Sequence, residues 1–134
     1  MIGEIEIKVR GYHLDMFSHV NNARYLEFME EARWAHLEQS GLTLKDFAER
    51  GVSMVLANIN INYKYPAGFG DVLQIKTCFK EIRNRSAIID QTIFLKGTET
   101  KVVEAELVVV FISLKTGKPA VIDDEFRKMF EICG

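Results

Sequence analysis

The chain has 134 residues, 48% hydrophobic and 27% charged, with Lys+Arg 17 against Asp+Glu 19 and a formal net charge of −2. That length fits a single domain over 1–134 whose core buries roughly two-thirds of the unfolded surface, and the apolar fraction excludes a disordered chain. The even charge balance, with no dense basic block, speaks against nucleic acid or an anionic membrane as the main partner.

The longest apolar run, residues 107–112, is far short of a membrane span. The opening MIGEIEIKVR alternates at once and has no apolar leader core. Cys78 and Cys133 sit in no metal-like spacing, so we expect a reduced, cytoplasmic protein with no cofactor or metal and no membrane insertion.

Residues 4–10 alternate as a strand, with Ile5, Ile7 and Val9 on one face. Residues 11–21 lose the alternation and become a polar loop. From Asn22 to about Gln39 the apolar residues Tyr25, Phe28, Met29 and Ala32 recur at spacings of three and four, which predicts a helix with one apolar stripe. Asn21 or Asn22 caps its start, and Gly41 ends it. A short helix over 43–49 closes at Gly51. Strands follow over 54–65, 71–82, 86–95 and 100–114, joined by hairpin-length turns, with a last helix over 123–132. In the first of these, Val55, Ala57, Ile59, Ile61, Tyr63 and Tyr65 are expected on one face and Asn58, Asn60, Asn62 and Lys64 on the other. Periodicity by itself gives an α+β class with an antiparallel sheet and a long helix packed on it.

The stretch that carries chemistry is VRGYHLDMFSHVNNARYLEFMEEAR, residues 9–33. Asp15 stands in a loop seven residues before the helix start, whose unpaired backbone N–H groups form an electropositive site. A carboxylate near such donors is the minimum equipment for acyl transfer: a base or nucleophile, and a place for the developing negative charge. The alternative is that Asp15 only caps a turn or the helix.

The segment resembles the signature of the 4-hydroxybenzoyl-CoA thioesterase family of hotdog proteins: an Asp, then His-Val-Asn-Asn, a Tyr and an acidic helix. A second landmark, Ile61-Asn62-Tyr63-Lys64-Tyr65-Pro66-Ala67 followed by Gly70-Asp71, falls in the matching order. The strings VRGYHLD, HVNNARYLEF, EEARW and NININY narrow the resemblance to a bacterial subgroup of long-chain acyl-CoA thioesterases. The resemblance implies a curved antiparallel sheet wrapped around a long central helix. It further implies dimers that join their sheets and place active sites at the interface, paired again as a homotetramer. In its light Asp15 is nucleophile or general base, and the backbone N–H of Asn22 polarises the thioester carbonyl.

His19 lies in the same motif and either orients Asp15 or makes structural hydrogen bonds. Asn21 and Tyr25 are candidate substrate contacts, with capping and core packing as their alternatives. His13 is weighed as a ligand contact. Coenzyme A carries phosphates, so cations are needed at the site mouth; Lys64, Arg83, Arg85 and Ser86 are the candidates, against a plain surface turn. Phe28, Met29, Met54 and Leu56 are candidate walls of an acyl slot, with Val20 and Phe17 near its mouth. Glu27, Glu30 and Glu31 cluster with Arg24 and Arg33 at helical spacing and read as a solvated ion-pair face. The expected function is hydrolysis of medium- to long-chain fatty acyl-CoA to free acid and CoA. Acyl carrier protein or aromatic acyl-CoA thioesters, or acyl-CoA binding without catalysis, are the alternatives.

Overall fold

The computed structural model describes residues 2–133. Glu4, Glu6 and Lys8 face water while Ile5 and Ile7 face inward, and this alternation makes strand β1 (Gly3–Lys8). One 3₁₀ turn over Gly11–His13 and a short loop lead to helix α1 (Asn22–Gln39). Asn21 caps α1, its side-chain oxygen accepting from the Ala23 N–H at 2.9 Å. Helix α2 (Leu44–Arg50) starts with a reciprocal Thr43–Asp46 capping box and stops at Gly51, whose φ of 64° suits a residue without a Cβ. Strands β2 (Val52–Tyr63), β3 (Val72–Ile82), β4 (Ser86–Leu95) and β5 (Lys101–Ser113) follow, then helix α3 (Asp124–Met129).

The five strands form one antiparallel sheet in the order β1-β3-β4-β5-β2. The sheet is open: β1 and β2 are its two unjoined edges, and it is neither closed nor strongly curled. This corrects the expectation of a sheet wrapped around one long central helix. The helices, of 18, 7 and 6 residues, lie on one face, with α1 over β1 and β3 at one side. The physical reason is the narrowness of the apolar stripe of α1. Tyr25, Phe28, Met29, Ala32, His36 and Leu37 are buried, whereas Glu27, Glu30, Glu31 and Glu38 stand in water. A helix apolar on one side rests on a sheet; it is not enclosed by one. The architecture is therefore a hotdog-like α+β fold with an open five-stranded sheet.

The core between the layers contains Met29, Leu73, Ile75, Phe79, Ile89, Ile93, Leu107 and Phe111, all inaccessible to solvent. Phe126 of α3 adds an edge-to-face contact with Phe47 of α2 at 5.2 Å between ring centroids. The expected facing of β2 is half right. A register shift between Leu56 and Asn58 changes the phase of the strand. Met54 and Leu56 pair with the inward-facing Phe111 and Val109, and Val55 moves to the outer face beside Val110. Beyond the shift, Ile59 and Ile61 point inward and the three asparagines outward, as read from the alternation.

Candidate active site

The loop from Leu14 to Val20 is a tight reversal closed by a bridge between those two residues. The Asp15 N–H donates to the His19 carbonyl at 2.9 Å, and the Asp15 carbonyl accepts from the Ser18 N–H at 3.0 Å. Ser18 takes a left-handed φ of 62° to complete the turn, a conformation costing a non-glycine residue about 1 kcal/mol. Asp15 Oδ1 accepts from the Phe17 N–H at 2.9 Å, so the carboxylate does cap its own turn. The other oxygen has no hydrogen-bond partner among the described residues, and the side chain is exposed.

This loop is fastened to the start of α1 from two sides. The Asn21 N–H donates to the His13 carbonyl at 2.9 Å. On the other side the second sequence landmark holds it: the Val20 N–H donates to the Ala67 carbonyl at 2.9 Å, and His19 bridges Gly68. The Ala67 N–H in turn donates to the Tyr25 hydroxyl at 3.3 Å. Gly68 and Asp71 brace the landmark, with Gly68 N–H donating to Asp71 Oδ2 at 2.8 Å. Tyr25 is buried against Tyr63, and burial raises its hydroxyl pKa, so it stays neutral as a wall and anchor. The Asn22 N–H, at the first position of α1, has no acceptor among the described residues.

His13 is a latch. It is 7% exposed, its Nδ1 accepts from the Arg10 N–H at 2.9 Å, and its ring meets Phe28 edge-on at 4.8 Å. Burial, aided by Arg24, lowers its pKa and keeps the acceptor nitrogen unprotonated. The His19 side chain makes no hydrogen bond to Asp15; only its backbone holds the loop.

Asp15, His19, Asn21, Asn22 and Tyr25 therefore gather at one end of the molecule. Arg83, Arg85 and Ser86 do not join them. Arg83 and Arg85 lie in the β3–β4 turn and Ser86 opens β4, at the far end of a strand whose 11 residues span roughly 35 Å. Arg83 is tied to Glu81 at 3.1 Å, whereas Arg85 has no ion pair among the described residues. Lys64 follows β2 at the Asp15 end, but its ammonium pairs with Glu104 at 3.0 Å on the outer face.

A cavity of about 500 Å3 opens between α1, α2, β2 and β5. Trp34, Leu37, Leu44, Phe47, Met54 and Leu56 form its apolar wall, and Glu30 and Arg33 its polar one. Of the slot residues expected from sequence, Met54 and Leu56 line it; Phe28, Met29 and Val20 belong to the buried core, and Phe17 is 72% exposed. Arg33 was missed as an inward residue. Its guanidinium donates to Gln91 Oε1 at 3.1 Å, and Gln91 Nε2 donates to the Met29 carbonyl and to Thr77 Oγ1, each at 2.9 Å. Burial lowers the Arg33 pKa. No local spacing signals this network, because Gln91 comes from β4.

The helix-on-sheet architecture goes with a thioesterase classification, which the sequence profile and the relatives carry. The sequence profile of the thioesterase-like superfamily matches residues 9–130, and the chain belongs to that superfamily. It is 43% identical over 128 residues to the long-chain acyl-CoA thioesterase FadM of Escherichia coli (strain K12), covering 96% of each chain. The crystal structure of the YbaW probable thioesterase from Escherichia coli superposes with a TM-score of 0.86 at 43% identity, over 94% of each chain. A more distant relative is the chloroplastic acyl-acyl carrier protein thioesterase ATL3 of Arabidopsis thaliana. It is 28% identical over 127 residues, which make up 95% of this chain and 66% of the relative.

Proposed function

We propose that the protein hydrolyses medium- to long-chain fatty acyl-CoA, giving the free fatty acid and CoA. The observation that carries this is the fastening of the Asp15 loop to the start of α1 by backbone bonds on both sides. The backbone that carries Asp15 is fixed to the start of α1, so the scaffold itself needs little reorganisation when charge develops. In this reading the Asn22 N–H donates to the thioester oxygen as it becomes an oxyanion. Asp15 either takes the proton of the attacking water or adds to the carbonyl itself, giving an anhydride that water opens. In both routes the C–S bond breaks and the CoA sulfur leaves as thiolate. The likeness to a long-chain acyl-CoA thioesterase supports the substrate class; the 500 Å3 apolar cavity lies toward the Ser86 end of the sheet and shares no residue with the Asp15 loop.

Assembly follows from the separation of the two groups of site residues. Within one chain, Arg85 is too far from Asp15 to bind the phosphates of the same coenzyme A. The unpaired edge of β2, where Val55, Leu56 and Tyr63 are exposed, fits a second copy running antiparallel. That pairing carries the partner's far end of the sheet to this chain's Asp15 end. Arg83, Arg85 and Ser86 then serve the CoA of the neighbouring protomer, in a dimer that pairs again as a tetramer. Purified protein is expected to release free thiol from palmitoyl-CoA, with Asp15→Ala lowering kcat at least about 100-fold. Equal rates for the two proteins would end the mechanism, and faster turnover of benzoyl-CoA than palmitoyl-CoA would end the substrate assignment.

A further inference from the structure

β1 covers the edge of β3 only as far as Thr77, where Gly3 is its last partner. The next stretch of that edge is taken by the C-terminal tail. Ile132 bridges Phe79 in parallel, and the Cys133 N–H donates to the Phe79 carbonyl at 3.1 Å. This short bridge brings Cys133 beside Cys78, with their sulfurs in contact and their Cα atoms 5.6 Å apart, inside the range a disulfide spans. Both residues are half-buried rather than sealed in the core. The tail starts from Phe130, which packs on Phe79 at 5.5 Å and belongs to a ring cluster with Phe126, Phe111 and Phe47. Phe47 is also a wall of the cavity.

We propose that Cys78 and Cys133 are a reversible thiol–disulfide clasp that fixes the C-terminal tail on the edge of β3 left uncovered by β1. A terminal segment held by so little ladder frays readily, and a covalent tie across 55 residues of sequence removes that freedom. In a reducing compartment the pair rests as two thiols, and a pulse of a small-molecule disulfide closes it. One thiolate attacks oxidised glutathione and expels a glutathione thiolate. The second cysteine, as its thiolate, then displaces the bound glutathione and forms the protein disulfide. The two cysteines together lose two protons and two electrons, and oxidised glutathione becomes two thiols.

The test uses the full chain, reduced with dithiothreitol or oxidised with glutathione disulfide. The oxidised form is expected to lose the mass of two hydrogens, to carry no glutathione and to remain a single covalent chain. Its Tm is expected to rise by about 5–10 °C. Trypsin cleavage after Lys128 frees peptide 129–134 from the reduced chain and leaves it attached through Cys78 in the oxidised one. Cys133→Ser and Cys78→Ser should each match the reduced wild type in Tm under both conditions. Stable glutathionylation, a chain-to-chain disulfide, or closure without any change in Tm would overturn the proposal.

Discussion

Asp15 caps its own turn, the proposed function gives it a chemical job as well, and one substitution separates the two. Asp15→Asn keeps an oxygen that accepts from the Phe17 N–H, so thermal stability should stay within about 0.5 kcal/mol of wild type. Thioesterase kcat is nevertheless expected to fall as far as in Asp15→Ala, because an amide neither takes a proton nor attacks a carbonyl. His36 makes a prediction of a different kind. It is 2% exposed, stacked on Phe79 at 5.2 Å, and its Nδ1 has no hydrogen-bond partner among the described residues. Gly3 lies over the ring so closely that a Cβ there would overlap Nδ1. Burial lowers the His36 pKa, so the unfolded chain binds the proton first. Stability should therefore be full above pH about 6.5 and fall as the pH drops below it, by at most about 1.4 kcal/mol per pH unit for each such histidine. His13 shifts in the same direction. Urea midpoints measured from pH 7.5 to 5 should show this loss, and His36→Phe should make it shallower.

At the scale of elements, the caps are where small changes show. Asn21→Ala removes the acceptor for the Ala23 N–H and should cost about 1 kcal/mol in a urea titration. It leaves the Asn22 N–H in place, so the acyl-transfer reading expects kcat to drop far less than in Asp15→Asn. The same elements show what the residue pattern reveals. The span of α1, Asn22–Gln39, is legible because its stripe recurs every three or four residues and an asparagine stands at its cap. The inner face of β2 is legible only from Ile59 onward, because the irregularity after Leu56 leaves no composition signal and inverts the phase before it. Arg33 reads as solvated because helical spacing shows only neighbours on the same helix; its partner Gln91 lies 58 residues away. The curl of the sheet was the larger misreading. Alternation says which side of a strand is apolar and is silent on how far the strands bend. The Asp15 loop is legible as a motif, but its left-handed Ser18 is not, since serine carries no glycine-like mark.

At the scale of the whole molecule, the unpaired 12-residue edge of β2 is the feature that asks for a partner. Light scattering is expected to give an even multiple of the 15.4 kDa chain mass. Val55→Lys combined with Asn60→Lys puts like charges opposite each other across the seam when the two-fold axis falls midway between these positions. The double variant should shift to smaller species and lose activity while keeping its helical circular dichroism. A wild type that is monomeric at assay concentration would remove the shared-site reading but leave the role of Asp15 standing.

The outer wall of the sheet has one more consequence. Lys76 faces Glu4, Lys96 faces Glu6, Lys80 sits between Asp90 and Glu106, and Glu104 holds both Lys64 and Lys101. Signs alternate within a few ångströms, so the potential of this wall cancels well inside one screening length. An anionic thioester drifting past meets no electrostatic funnel there. On the proposed function, long-range steering by this wall adds little to substrate capture, so any salt dependence comes from the cations that meet the coenzyme A phosphates directly.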